Sequence, residues 1–120
     1  MSVEVVKGDE YSLEYHSDSH QLVFRGTIRL QASEDYLPML VLMQRGHADC
    51  VPGGATLVMD FRQLEFLNSS GINSISKFVI SARKEDKIGL QVCGNKDIYW
   101  QQKSLGNLQK LWNKVVITID

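Results

Sequence analysis

Between Ala55 and Val92 the chain switches twice between hydrophobic periods, and this alternation narrows the fold more than any other feature. Leu57-Val58-Met59 is an uninterrupted apolar run of the kind expected in a strand buried on both faces. Ile72, Ile75, Phe78, Val79 and Ala82 then recur at three- and four-residue spacing, which is one stripe of a helix. Ile88, Leu90 and Val92 return to strand spacing. A strand, a helix and a second strand in that order imply parallel pairing through a right-handed crossover, and therefore an α/β layer structure.

The flanking segments fit the same frame. Tyr11, Leu13 and Tyr15 alternate with polar residues, Ser17-Asp18-Ser19-His20 reads as a turn, and Leu22, Phe24, Ile28 and Leu30 resume the alternation. An amino-terminal antiparallel hairpin is expected there, with Gly26 marking a bulge or a close backbone approach. Ser33 reads as the cap of a first helix that carries Glu34 and Asp35 in its first turn. Pro38 requires that helix either to kink or to begin near Leu37. Leu40 and Val41 continue its stripe, and it is expected to stop near Gly46, before the Pro52-Gly53-Gly54 breaker. Phe61 to Ser70 reads as a connection. Arg83-Lys84-Glu85-Asp86-Lys87 is the charged exit of the next helix, with basic residues near its carboxyl end. A last helix through Leu105, Leu108 and Leu111 is interrupted around Gly106, and Val115 to Ile119 closes the chain as a strand. The expected order is β-β-α-β-α-β-α-β, one compact domain over residues 1–120.

Charge and composition exclude several functions. Of 120 residues, 43% are hydrophobic and 22% charged, which suits a globular chain. A net charge of −1 lacks the basic excess of a nucleic-acid binder. No apolar run is long enough to cross a bilayer, and Met1-Ser2-Val3-Glu4 does not begin a signal peptide, so a cytoplasmic location without membrane insertion is expected. Cys50 and Cys93 form no CxxC pair, and Cys93 at the end of an apolar strand reads as a small buried residue.

Motifs for catalysis are sparse. The chain has neither GxxxxGK[ST] nor GxGxxG, and Gly53-Gly54 precedes a strand rather than a helix. Neither His16 with His20, nor His47 with Cys50, brings the further ligands of a closed metal site, so no metal or other cofactor is expected. Trp100, Trp112 and Tyr99 read as core or half-core side chains; one of them exposed beside the serine turn would instead mark an interaction surface.

That turn, Phe66-Leu67-Asn68-Ser69-Ser70-Gly71, holds the most informative polar residues. A helical pattern begins at Ile72, so Ser69 and Ser70 fall at a helix amino end, where unpaired N–H groups and the helix dipole favour negative charge. Such a serine is an N-cap, an anion ligand or a phosphorylation site. Asn68 or Ser69 suffices as the cap, which leaves hydroxyls to spare. A hydrolase would need Ser69 or Ser70 beside one of the histidines.

Leu57 to Asp60, followed by Phe61 to Ile72 with Asn68-Ser69-Ser70-Gly71 at the helix start, resembles the signature of STAS domains, the anti-sigma factor antagonists and their relatives. Their usual form is Asp-Ser-Ser-Gly or Asp-Ser-Thr-Gly between a strand and a helix. This chain carries Asn68 where the aspartate stands. The resemblance implies a mixed sheet of four to five strands with helices mainly on one side. It also implies a non-enzymatic module that binds a serine kinase or anti-sigma-type protein. That kinase would phosphorylate Ser69, with Ser70 the runner-up, and a PP2C-type phosphatase would reverse the reaction. Leu67, Asn68, Ser69, Ser70, Gly71, Ile72 and Asn73 would form the contact surface. The alternative within the fold is an unphosphorylated subunit of a larger complex such as a transporter ATPase.

Overall fold

The computed structural model describes residues 3–120. Strands β1 (Val3–Lys7), β2 (Tyr11–His16) and β3 (Gln21–Ile28) lead into a 3₁₀ turn, Ser33–Tyr36, and helix α1 (Leu37–Cys50). Strand β4 (Thr56–Leu67), helix α2 (Ser69–Glu85), strand β5 (Gly89–Gly94), helices α3 (Tyr99–Ser104) and α4 (Gly106–Leu111), and strand β6 (Val116–Ile119) complete the chain. The six strands lie side by side in sequence order. β1, β2 and β3 pair antiparallel, whereas β3 to β6 pair parallel through the helical crossovers. The sheet is thus the expected STAS-like mixed sheet, with six strands in place of four to five. The added strand is β1, whose exposed Val3 and Val5 flank Glu4 and so give no clean apolar alternation.

Register explains the two faces. Tyr15, Leu22, Met59 and Val92 stand opposite one another across four strands, and all are buried. They join Met39, Leu42 and Met43 of α1 and Ile75, Phe78 and Val79 of α2 in one core. The neighbouring row, Glu14, Val23, Asp60, Cys93 and Thr118, belongs to the other face. There Asp60 is only 3% exposed, and its carboxylate accepts from the Arg62 backbone N–H and guanidinium at 2.8–3.0 Å. Burial alone would raise the Asp60 pKa, but the Arg62 hydrogen bonds and charge outweigh it and hold the group below the usual carboxylate value.

Three local readings change. Ser33 caps nothing; the turn it opens has Ala32 at its N-cap without a side-chain hydrogen bond, and Pro38 sits in the first turn of α1, where its missing N–H costs no helical bond. α1 continues past Gly46 to Cys50. That glycine is a packing residue, since a Cβ there would lie 2.9 Å from Leu57 Cδ1 and 3.2 Å from the Tyr15 ring. Phe61 to Leu67 is strand, not connection. The register against β3 shifts twice, between Val23 and Arg25 and between Gly26 and Thr27. Each extra residue resets the inward parity, so the core-facing positions of β4 run 57, 59, 61, 64, 67.

Candidate functional site at the amino end of α2

The parallel strands β3 to β6 all end at one edge of the sheet, and Ser69 follows β4 directly at that edge. Ligand sites of open α/β sheets concentrate beyond such carboxyl ends. α2 begins at Ser69, three residues before the expected Ile72 start, and Asn68 is its N-cap in extended conformation. Asn68 Oδ1 accepts from Gly71 N–H at 2.9 Å and lies 2.9 Å from the Tyr36 hydroxyl. Its Nδ2 donates to the Leu30 carbonyl at 3.0 Å, and its backbone N–H donates to Ile28 O at 3.2 Å. The amide orientation is fixed chemically, because Gly71 N–H needs an acceptor and the Leu30 carbonyl needs a donor.

With capping assigned to Asn68, the serines are released from it. Ser69 is exposed, Ser70 half-buried, and neither hydroxyl makes a side-chain hydrogen bond among the described residues. Asn73 is exposed and Ile72 half-buried. Leu67 and Gly71 face inward and support the tip from beneath: a Cβ on Gly71 would overlap Leu67 Cδ1. Gly71 is therefore required by close packing rather than by flexibility. Three exposed apolar side chains share this edge, Leu37 at the start of α1, Phe66 at the end of β4 and Tyr99 at the start of α3, at 56%, 44% and 72% exposure. Of the three aromatic residues weighed in the sequence, Tyr99 is the exposed one; Trp112 is buried, and Trp100 donates its indole N–H to Leu64 O at 3.0 Å.

The candidate catalytic partners lie elsewhere. His47 packs edge-on against Phe78, with Nε2 3.7 Å from Glu85 at the last residue of α2. That is about 24 Å along the helix from Ser69. His20 precedes β3, whose opposite end meets Asn68, and His16 pairs with Gln21 beside it. All three imidazoles thus occupy the end of the sheet remote from the serines, so no Ser/His pair assembles. Burial pushes the Cys50 thiol up to about 11, and the half-buried Cys93 thiol is also raised by burial, so neither is activated as a nucleophile. Among the described residues no group of three or more His, Cys, Asp or Glu side chains could hold a metal. No helix there is long and apolar enough to span a membrane.

The signals for Tyr36 and the Leu30 carbonyl were absent from the sequence, since they lie 32 and 38 residues from Asn68. Only the folded chain brings them to the serine turn.

The fold and the exposed serine tip together define an STAS-like α/β architecture with its candidate site at a helix start. No family model matches the sequence, and no curated protein matches it. Among solved structures the chain is similar to SiaC of Pseudomonas aeruginosa, with 16% identity and a TM-score of 0.61 over 99% of this chain and 96% of that one. Apo-SiaC gives 16% identity and 0.65, covering 100% and 99%. A chain in the crystal structure of the diguanylate cyclase SiaD in complex with its activator SiaC gives 14% identity and 0.72, covering 98% and 99%. At such identities the likeness is one of fold.

Proposed function

We propose that this chain is a non-enzymatic regulatory module that binds a protein partner through the tip of α2, and that reversible phosphorylation of Ser69 releases the partner. The observation that carries this reading is the division of labour at the helix start. Asn68 alone caps the helix, which leaves Ser69 exposed with its hydroxyl unengaged. The Ser69 and Ser70 N–H groups remain outside the helical ladder and favour an anion. A phosphate adds roughly −1.5 to −2 charges at neutral pH, which the helix start tolerates without refolding. A partner packed on Leu37, Phe66 and Tyr99 would meet that charge in a desolvated contact, and its binding would be lost.

The SiaD–SiaC complex supports a partner of enzyme type, and a diguanylate-cyclase-type protein is the first candidate. The STAS resemblance supports a serine kinase that modifies Ser69, with Ser70 as second choice, and a PP2C-type phosphatase that restores it. The contact residues of this reading are the exposed or half-exposed Asn68, Ser69, Ser70, Ile72 and Asn73, with Leu67 and Gly71 as their support. Intact-mass and peptide analysis of the protein from its native cell tests the proposal. A phosphopeptide spanning Ser69, absent from Ser69→Ala, is expected. Complete absence of phosphate across growth states refutes the switch and leaves a constitutive subunit of a larger complex.

A further inference from the structure

Residues 66–76 contain no ionisable side chain, so the switch tip is electrically neutral before modification. We propose that the Leu30 carbonyl and Tyr36 enforce this neutrality: they are positioning elements of the Ser69 site that require an uncharged, hydrogen-bond-donating group at residue 68. The geometry is specific. Asn68 Nδ2–H points at the Leu30 carbonyl, 3.0 Å away, while Oδ1 caps Gly71 N–H on its other side. The Tyr36 hydroxyl, buried with its ring, bridges the same two oxygens at 2.7 Å from Leu30 O and 2.9 Å from Asn68 Oδ1. Its one proton serves one oxygen at a time, so the Leu30 carbonyl depends on the amide for its second donor.

A carboxylate at residue 68 would still cap Gly71, because aspartate and asparagine are equally good N-caps. Its second oxygen, however, would face the Leu30 carbonyl with no proton between them, an acceptor against an acceptor in a part-buried site. The side chain could escape only by abandoning the cap or by pushing out the segment from Leu30 to Tyr36 that leads into α1. The clamp therefore keeps the tip neutral and rigid, and a phosphate on Ser69 is then the only charge presented between residues 66 and 76. That consequence for signalling rests on the Ser69 reading above; the clamp itself does not.

The test is the pH profile of Asn68→Asp in the full chain, measured as the folded-to-unfolded ratio by urea titration. The titratable groups that face the clamp are Tyr36 and, acting on it, Tyr11 and Asp35, and they are common to both proteins. If the clamp operates, the variant loses about tenfold in that ratio at pH 7. The deficit closes below about pH 4, because a protonated carboxyl donates to Leu30 O as the amide does. A carboxylate that merely capped the helix would show the reverse, no deficit at pH 7 and a growing one in acid, and that profile overturns the proposal. Asn68→Ser, which keeps a cap but cannot reach Leu30, should show a deficit that does not close in acid; a deficit that closes also counts against the clamp. Tyr36→Phe should speed exchange of the Gly71 amide about tenfold by NMR, and an unchanged rate removes Tyr36 from the clamp. These readouts are independent of phosphate on Ser69, so failure of the switch and failure of the clamp are told apart.

Discussion

Arg62→Ala should change not only the stability of this protein but the direction of its pH dependence. Asp60 is 3% exposed on the helix-free face of the sheet, and Arg62 supplies two guanidinium hydrogen bonds at 2.8 and 2.9 Å besides its backbone N–H. Truncating the partner of a buried carboxylate costs about 3–5 kcal/mol when the site stays dry. The Arg62 side chain is 53% exposed, so water replaces part of what is lost, and about 2 kcal/mol at pH 7 is the discounted expectation. For a chain of this size that corresponds to roughly 8 °C in Tm. In the parent, the Asp60 pKa is lowered on folding, so its contribution is present above the unfolded value and fades as pH falls through the folded one. Without the Arg62 side chain, burial, the largest single influence on Asp60, is opposed only by the backbone N–H of residue 62 and the charge of Arg25, and the folded pKa is expected to rise above the unfolded one. The variant is then relatively best off below about pH 4 and loses ground as pH rises through the new folded value. Urea denaturation of both proteins between pH 3 and pH 8 measures the gap. It should be small in acid and widest near neutrality, and Asp60→Asn in the Arg62→Ala background should recover much of it. A gap that is constant with pH would show that Asp60 is not the group responsible and would refute the reasoning.

Two further substitutions probe the tip itself. Gly71→Ala places a methyl on Leu67, which is 5% exposed at the end of β4. A Cβ this close to both Cδ1 and Cγ of Leu67 puts overpacking at about 2–3 kcal/mol, against ~1 kcal/mol gained in helix propensity, so chemical denaturation should show a loss of about 1–2 kcal/mol, relieved when Leu67 is shortened to Ala in the same chain. Ser69→Asp should leave stability unchanged or raise it by about 0.3–1 kcal/mol at pH 7 while weakening partner capture. The gain should vanish below about pH 4 as the new carboxylate protonates, and a loss of more than ~1 kcal/mol at neutrality would make Ser69 structural.

The parts of the fold that were readable in the sequence are those where a single period persists. The stripe Ile75, Phe78, Val79 and Ala82 is buried in α2, and Leu90 and Val92 point into the core from β5. Gly26, read as a bulge or a close approach, is the latter: its φ is +88° and a Cβ would strike the Glu10 carbonyl, whereas the extra residue of the neighbouring register shift lies opposite it on β4. Readability failed where tertiary contacts override the local pattern. Gly46 looked like a helix stop because glycine is a weak helix former, yet its missing side chain makes room for Tyr15 and Leu57. Tyr36 carried no local mark of its part in the site, since its partner Asn68 lies 32 residues away, at the end of the neighbouring strand.

The hidden half of β4 shows how the same physics both obscured and built the site. Pairing of β4 with β5 stops at Asp60, while β4 runs on to Leu67. Beyond that point the Phe61 and Leu64 carbonyls face no strand on the β5 side and need donors. Gln101, fully buried on α3, gives its Nε2 protons to Phe61 O at 2.5 Å and Leu64 O at 3.0 Å, and its Oε1 accepts from Asn95 N–H at 2.7 Å. Trp100 adds its indole N–H to Leu64 O. α3 thus takes the place of a strand alongside the bulged part of β4. The bulges that removed the period-two signal from Phe61–Leu67 are what bring Leu64 and Leu67 back to the core side and deliver Asn68 to the Leu30 carbonyl. Docking α3 there sets its first residue, the exposed Tyr99, at the edge where α2 begins. An irregular strand, a buried glutamine and a capping asparagine are therefore one device, and its output is an uncharged helix tip with an exposed hydroxyl at Ser69.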